Sequence, residues 1–185
     1  ILAGDYDQYG LSAFARAARL RGWRVVLHAR RGHGDLPFTT PRWNTAGNTS
    51  DANDALRAVR ARHPAAAALC IAGFSAGSGL MMRFLGELGD AGPQFVRAAV
   101  AVSPGYALPD AWTRVRWPFN GLLAKKCAWH FLERHREAYA AGAGVDAEIA
   151  AAAAAPDLLG FHAAAYRLAG FASAAEMHAA SDPVA

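Results

Sequence analysis

Ser75 lies at the centre of a Gly-x-Ser-x-Gly sequence that runs from Gly73 to Gly77. A short apolar run, residues 69–72, precedes it, and a run compatible with a helix follows it. Strand, sharp turn and helix in this order are typical of a serine that acts as a nucleophile in acyl transfer. We expect the turn to strain the Ser75 backbone, and Gly73 and Gly77 to let strand and helix approach closely. The hydroxyl would stand at the helix N-terminus, where the helix dipole and free N–H groups stabilise an oxyanion.

The motif is also compatible with two roles that involve no nucleophile. In a chain with 18 glycines, a buried structural serine in a glycine-rich turn gives the same pattern. A phosphate-binding loop fits less well, because no Gly-Lys-Ser/Thr follows and the glycines are not spaced as Gly-x-Gly-x-x-Gly. The apolar runs on both sides of the motif favour the nucleophile.

The composition predicts one globular domain of 185 residues with 54% hydrophobic residues, many of them alanine. Although the net charge is +4, the basic residues are scattered and form no tract with aromatics, so no nucleic-acid partner is expected. Cys70 and Cys127 form no disulfide framework, Cys70 reads as a buried strand residue, and this cysteine usage fits a reducing compartment. No membrane span and no signal peptide are predicted, and the opening at Ile1 suggests a chain cut from something longer.

The first half of the chain alternates helical and strand-like patterns, which predicts an α/β fold with a parallel sheet. A helix around residues 11–18 is expected to end at Gly22, and residues 25–27 then read as a buried strand. A second helix, capped by Thr49 or Ser50, is expected to stop before Pro64. That helix is expected to bury Ala52, Ala55, Leu56 and Val59.

The next elements are expected to position Ser75. They are a strand over residues 69–72, a helix over 76–88 and a strand over 96–103 that is apolar enough to be buried on both faces. Because ligands of parallel sheets bind at the C-terminal ends of the strands, Ser103 and the loop after it should face the same edge as Ser75.

From about Pro109 the pattern becomes helical, which predicts a cap over this edge. The predicted division is a core of residues 1–108 and a cap region of residues 109–185. Further helical patterns cover residues 158–168 and 173–180. The apolar stripe of the first cap helix is Phe119, Leu122, Leu123, Cys127, Phe131 and Ala138.

Several aromatic and imidazole side chains have two interpretations each. Trp112, Trp117 and Trp129 either line an acyl-binding cleft or pin the cap as core residues, and the second interpretation is favoured. His33 precedes Ser75 and is predicted to be a loop residue. The spacing of the later histidines supports no metal site, so they are predicted to be surface or structural. They are His130, His135, His162 and His178.

These residues together resemble one branch of the α/β-hydrolase fold. The branch contains the plant embryogenesis-associated esterase-like proteins, a bacterial hydrolase group and the animal α/β-hydrolase domain-containing lipid hydrolases. The residues that carry the resemblance are Arg31-Gly32, Leu36, Thr39-Thr40-Pro41-Arg42, Ala46-Gly47-Asn48-Thr49, Asp51, Asp54, Gly73-Phe74-Ser75-Ala76-Gly77 and Ala101-Val102-Ser103. The stretches 161–162 and 170–171 and Ser181 look like the end of the branch's cap.

The resemblance implies a partial α/β-hydrolase fold, with a parallel sheet flanked by helices and a helical cap insertion. It implies hydrolysis of acyl lipids or hydrophobic esters, with Ser75 as nucleophile and no metal or organic cofactor. The backbone N–H groups of Ala76 and Leu2 would form the oxyanion hole. In animal members a segment before the hydrolase domain often anchors the protein to a membrane, and here it would lie upstream of Ile1.

The chain departs from the branch at several positions. Ile1 stands where the branch has His-Gly, and Phe161-His162 stands where it usually has Phe-Asp. The branch's catalytic Asp and His lie further along than this chain reaches, so both are expected after Ala185. Asp182-Pro183 is not assigned to the triad, because no apolar strand precedes it.

The resulting hypothesis is a serine carboxylester hydrolase of esterase or lipase type that is truncated at both ends, so these residues alone are expected to be inactive. The alternatives are a non-catalytic binding module with the same fold, an acyl transferase or lyase on this scaffold, and a Rossmann-like nucleotide-binding protein. The glycine spacing disfavours the last of these.

Overall fold

The computed structural model describes residues 9–33, 36–91, 95–140 and 144–184. Two short 3₁₀ turns, Gly89–Ala91 and Glu133–His135, accompany the helices and strands. The helices and strands of the described residues are α1 (Tyr9–Leu20), α2 (Ser50–Arg62), β1 (Leu69–Phe74), α3 (Ala76–Leu88), β2 (Val96–Val102), α4 (Leu108–Arg114), α5 (Phe119–Phe131), α6 (Arg136–Tyr139), α7 (Val145–Ala153), α8 (Leu158–Ala165) and α9 (Ala174–Ser181).

The sheet of the described residues consists of β1 and β2, which pair in parallel. Their register places Gly73 opposite Ala101 and Phe74 opposite Val102, so both strands end at the same edge. The chain between them forms α3 and the Gly89–Ala91 turn. This is a β–α–β unit, the building block of α/β folds, and the coarse α/β prediction agrees with it.

The strand predicted over residues 25–27 is wrong, because this segment has no regular structure and pairs with no described strand. Val26 and Leu27 are exposed there. A β-branched run becomes a strand only when a neighbouring strand supplies its hydrogen-bond partners, and the run itself does not reveal that neighbour.

The prediction that β2 is buried on both faces is also wrong. Ala98, Ala99, Val100 and Val102 are exposed, and Cys70 of β1 is exposed instead of buried. Exposed and more buried residues alternate along β1, with Gly73 against α3, so the described helices cover one face of this strand.

The remaining predicted helices form with small differences. α2 ends before Pro64 as predicted, but its apolar residues are only half-buried. Thr49 is the residue before α2, and its hydroxyl donates to Glu87 Oε2 at 2.7 Å instead of capping the helix. Ser173 does cap α9, where its Oγ accepts from the Glu176 N–H at 3.1 Å.

The hydrophobic core lies mainly in the helical region after residue 107. Trp43 joins it from the first half of the chain, and the Trp43 N–H donates to the Leu168 carbonyl at 2.8 Å. The predicted stripe of α5 is split, since Cys127 and Phe131 are buried whereas Phe119 and Leu122 are exposed. The fully buried residues of the core include Leu132, Tyr139, Ile149, Leu158 and Phe161.

No helix of the described residues is both long and apolar enough to span a lipid bilayer.

Candidate active site

Ser75 occupies the turn between β1 and α3, with φ 51° and ψ −121°. A positive φ is uncommon for any residue with a Cβ atom, so the local backbone is strained. Hydrogen bonds hold the turn in place: the Ser75 N–H donates to the Val102 carbonyl at 2.9 Å. The Ser75 carbonyl in turn accepts from the Ser78 N–H at 2.9 Å and from the Ser78 hydroxyl at 2.5 Å. The sharp strained turn expected from the motif is therefore present.

The two glycines of the motif have different roles. A Cβ atom at Gly73 would lie 2.6 Å from the Ser78 Cα and 2.7 Å from the Gly77 carbonyl oxygen. A Cβ atom at Gly77 would meet no atom of the described residues within 4 Å. The close approach of β1 and α3 therefore requires the first glycine, and the expectation that Gly77 is needed for the same reason is wrong.

Of the two residues expected to stabilise an oxyanion, Ala76 and Leu2, the structure describes only Ala76. Ala76 is the first residue of α3, where backbone N–H groups have no acceptor inside the helix and the helix dipole is positive. Leu2 lies outside the described residues. The roles of both residues, and of Ser75 as nucleophile, stay predictions.

Ser75 and Ala76 line a cavity of about 210 Å³ between the sheet edge and the helices that follow. Its wall is mainly apolar and comes from the loop before α2 and from α4, α5, α8 and α9. Trp43 stacks on Phe131 with ring centroids 5.3 Å apart and meets Phe161 edge to face at 5.3 Å. The large apolar residues of the wall are Trp43, Leu108, Trp112, Phe131, Phe161 and Met177.

The three tryptophans predicted to lie near the site occupy different environments. Trp112 is buried in the core and also lines the cavity, so both of its interpretations apply. Trp117 and Trp129 are exposed, so they neither line this cavity nor pin the core. Trp43 was missed, and its place in a polar loop between Arg42 and Asn44 gave no periodic signal that could have found it.

His162 and His178 form a pair in the cavity wall, with His162 Nδ1 and His178 Nε2 2.9 Å apart. Burial, together with the neighbouring His178, lowers the pKa of His162 to about 3, so its ring is neutral at pH 7. Trp112 packs edge to face on His162 at 5.5 Å. His162 is therefore buried and neutral instead of being a surface residue, and its contact with the cavity was not foreseen.

His33 lies in the loop after residue 30, as predicted, and it is buried. Its ring contacts His130 at 5.4 Å and Phe131 at 5.4 Å, and its Nε2 lies 3.1 Å from an Arg30 guanidinium nitrogen. It does not line the cavity that contains Ser75. Among the described residues, no cluster of three or more potential metal ligands is present.

Arg30 gives the cavity a positive charge that the sequence did not reveal. Burial lowers the pKa of its guanidinium to about 10, and Asp51 partly offsets this effect, so Arg30 stays protonated at pH 7. It donates to the Asn44 carbonyl at 3.4 Å and forms no ion pair with a described carboxylate. The buried Trp43 Nε1, Trp112 Nε1 and Asn44 Oδ1 have no hydrogen-bond partner among the described residues. The wall can therefore meet polar groups of a ligand.

Cys127 also lines this cavity, but its thiol is a weak nucleophile at neutral pH. Burial raises the pKa of its thiol to about 12, so the thiolate is scarce at neutral pH.

Asp182 serves a structural purpose. Its Oδ2 accepts from the Leu108 N–H at 3.0 Å at the start of α4, and its Oδ1 accepts from the Val184 N–H at 3.1 Å. Arg83 of α3 donates to the carbonyls of Ala179 and Asp182 at 3.0 and 3.1 Å. These bonds fix α9 against α3 and α4, and leaving Asp182 out of the triad stays a prediction.

Residues that carry the family resemblance form one polar network beside the cavity. Arg31 Nε donates to Asp51 Oδ2 at 2.9 Å, and the Asn44 side chain donates to the same oxygen at 2.8 Å. Arg31 also donates to Thr39 Oγ1 at 3.1 Å. Gly47 lies so close to the Ala180 backbone that no side chain fits there. The network therefore holds the loop that supplies Trp43 and Asn44 to the cavity.

The chain is similar to curated α/β-hydrolase domain-containing proteins. Protein ABHD15 of Homo sapiens is 38% identical over 111 residues, which are 58% of this chain and 23% of the relative. Embryogenesis-associated protein EMB8 of Picea glauca is 31% identical over 87 residues, which are 47% of this chain and 19% of the relative. Phospholipase ABHD3 of Bos taurus is 29% identical over 129 residues, which are 68% of this chain and 31% of the relative.

These similarities confirm the predicted resemblance to the plant embryogenesis-associated and animal α/β-hydrolase domain-containing branch. The chain spans less than a third of the length of each of these relatives. No family model and no solved structure matches it.

Proposed function

We propose that this chain is part of an α/β-hydrolase. We propose further that the protein hydrolyses the carboxylic ester bonds of acyl lipids or of other hydrophobic esters. The observation that carries the proposal is Ser75, held at φ 51° on a strand-to-helix turn and lining an apolar cavity. One similar protein is named a phospholipase, which supports a lipid substrate. The proposal includes the division into a core of residues 1–108 and a helical cap of residues 109–185.

In the proposed reaction, Ser75 Oγ attacks the ester carbonyl while a histidine base takes its proton. The negative charge on the carbonyl oxygen is stabilised by the Ala76 N–H and the positive end of the α3 dipole. The ester C–O bond then breaks, the alcohol leaves with the proton from the base, and an acyl-enzyme remains on Ser75. Water, activated by the same base, attacks the acyl group and releases the acid.

The base is not assigned to a described histidine. Ser75 Oγ has no imidazole partner among the described residues, and the imidazoles of His162 and His178 bond to each other. The resemblance places the catalytic Asp and His after residue 185, and the proposal retains this placement.

The cavity supports a slender hydrophobic group as the part of the substrate beside Ser75. Its volume of about 210 Å³ is below the roughly 300–1,000 Å³ of pockets that hold drug-sized ligands. Four aromatic side chains and two large aliphatic ones lie in the wall, whereas Arg30 provides one cation. An acyl chain against the rings, with its ester carbonyl near Ser75, matches this distribution.

The proposal predicts that a fluorophosphonate labels the full-length protein on Ser75 and that Ser75→Ala abolishes the labelling. Ser103→Ala is the matched control, since Ser103 also lines the cavity and also has a positive φ, 52°. Mass spectrometry of the labelled peptide checks the site. Label on another serine, or none on a folded protein, contradicts the proposal.

A non-catalytic binding module is the second candidate, and the mainly apolar cavity favours it, because such a cavity can hold a hydrophobic ester without chemistry at Ser75. This candidate predicts that a hydrophobic ester binds in the cavity of the folded full-length protein without turnover. The two candidates separate in one assay that follows ester binding by calorimetry and acid release by chromatography. Transfer of the acyl group to an added alcohol in preference to water would instead indicate an acyl transferase.

A further inference from the structure

Helix α5 has two faces of different character. Cys127 and Phe131 on its inner face are buried and line the cavity. Phe119, Leu122 and Trp129 are exposed by 64%, 58% and 55% on the outer face. With Lys126 they follow one another at intervals of three, four and three residues, which places them on one side of an α-helix.

Trp117 lies two residues before the start of the helix. It is 90% exposed, although a tryptophan is normally well buried in a soluble protein. We call Trp117, Phe119, Leu122 and Trp129, together with Lys125 and Lys126, the outer stripe. Four large apolar side chains within residues 117–129 that are each more than half exposed indicate an interaction surface.

The charged residues of the segment that carries the outer stripe are all basic. From residue 112 to residue 131 the chain contains no acidic residue, and its basic residues there are Arg114, Arg116, Lys125 and Lys126. The two lysines are the only lysines of the chain. Both are exposed, and neither forms an ion pair with a described residue.

We propose that the outer stripe docks the protein on the surface of an anionic phospholipid bilayer. Tryptophan prefers the boundary between headgroups and acyl chains, and lysine reaches the lipid phosphates while its methylene stem stays in apolar surroundings. A protein partner fits less well, because lysine is depleted at the centre of protein–protein interfaces.

The orientation that follows places the cavity directly behind the docked helix, since the opposite face of α5 forms part of the cavity wall. The cavity therefore lies one helix diameter, roughly 10 Å, from the docked surface. The docking itself does not depend on the chemistry of Ser75.

The proposal is tested with the full-length protein and vesicles that contain about a quarter anionic phospholipid, a content that attracts each nearby lysine measurably. With brominated phospholipids in the vesicles, we expect quenching of tryptophan fluorescence. The Trp117→Phe/Trp129→Phe variant should lose this quenching, because phenylalanine keeps the docking but removes the reporters. Trp23→Phe is the matched control, since Trp23 is also 55% exposed but lies outside the outer stripe. It should keep the quenching.

Sedimentation with the same vesicles measures the strength of docking. Trp117→Ser/Trp129→Ser should weaken the binding at least tenfold, whereas Trp23→Ser should not. Lys125→Gln/Lys126→Gln should weaken binding to anionic vesicles about tenfold or more and abolish the preference over zwitterionic vesicles. High salt should reproduce the lysine effect.

Three results would overturn the proposal. Quenching that survives in Trp117→Phe/Trp129→Phe would show that these side chains do not enter the bilayer. Equal binding of the lysine variant to both kinds of vesicle, without loss of affinity relative to the parent, would remove the electrostatic part. A lower molecular mass of Trp117→Ser/Trp129→Ser by light scattering without vesicles would make the outer stripe an interface between copies of the chain.

Discussion

At the scale of single residues, the cavity depends on a histidine that stays neutral. His162 is buried between Trp112 and His178, and burial is the main reason why its pKa falls to about 3 from an ordinary 6.5. The unfolded chain binds a proton at this residue below pH 6.5, whereas the folded chain does so only near pH 3. The contribution of the neutral His162 ring to the free energy of unfolding is therefore complete above pH 6.5. It is lost as the pH falls from 6.5 towards 3.

We expect the free energy of unfolding to decrease on acidification below pH 6, with a contribution from His162 that approaches about 1.4 kcal/mol per pH unit. The His162→Gln variant is less stable at pH 7 but should show a shallower dependence on pH. Urea unfolding at several pH values between 4.5 and 7.5 measures both slopes. If the two proteins have equal slopes, His162 is not the residue that titrates.

The side chains near Ser75 also show which residues of the cavity could be predicted from the sequence and which could not. The motif located Ser75, because its strand–turn–helix geometry requires small residues at fixed positions. Trp43 and Arg30 reach the cavity through irregular segments, and no periodic pattern reports where such segments lie. The spacing of Trp117 and Trp129 was known, but which side of α5 faces the core depends on neighbours that the sequence does not show.

At the scale of secondary-structure elements, the contact between β1 and α3 determines the shape of the turn. A Cβ atom at Gly73 would overlap the α3 backbone, which cannot move aside like a flexible side chain. A Cβ atom at Gly77 has free space among the residues that the structure describes, and alanine there replaces the residue type that is among the least favourable in a helix.

The paired substitutions Gly73→Ala and Gly77→Ala should therefore have opposite effects. We expect the first to reduce the free energy of unfolding by about 1–3 kcal/mol or more. The second should leave it unchanged or raise it by up to about 1 kcal/mol. Urea unfolding of the full-length protein measures both values. A larger loss with Gly77→Ala than with Gly73→Ala would mean that the strand and helix do not meet as described.

The elements also show how far sequence patterns extend. The predicted helix over residues 76–88 has the observed bounds, Ala76–Leu88, and both predicted strands around it form. In the sequence, apolar runs define these elements, and turn residues such as glycine mark their ends. Burial of β2 and pairing of residues 25–27 depend instead on chain segments far away in the sequence, so local composition could not decide them.

At the scale of the whole molecule, bonds between distant parts of the chain hold the cavity together. The Asp182 carboxylate accepts from the buried N–H of Leu108, 74 positions earlier, and Arg83 binds the carbonyl of Asp182 from α3. Together these bonds connect the sheet side of the cavity with its helical side.

Asp182→Ala should destabilise the protein by about 1–3 kcal/mol, because it leaves the N–H of Leu108 without its acceptor. Asp54→Ala is the control, since Asp54 is exposed on α2 and a change there should stay within about 0.5 kcal/mol. Differential scanning calorimetry of the three proteins checks the difference. Equal melting temperatures for the parent and Asp182→Ala would show that this bond contributes nothing to stability.

The same long-range bonds have a consequence for protein synthesis. Leu108 and Asp182, which bond to each other, are 74 positions apart, so at ribosomal speed one is made roughly seven seconds after the other. During this interval Trp43 and the strands β1 and β2 are already synthesised, while the helices that line the cavity are still being made. The nascent chain therefore presents apolar surface before the last helix can cover any of it, and a chaperone that binds such segments would meet this protein early in its translation.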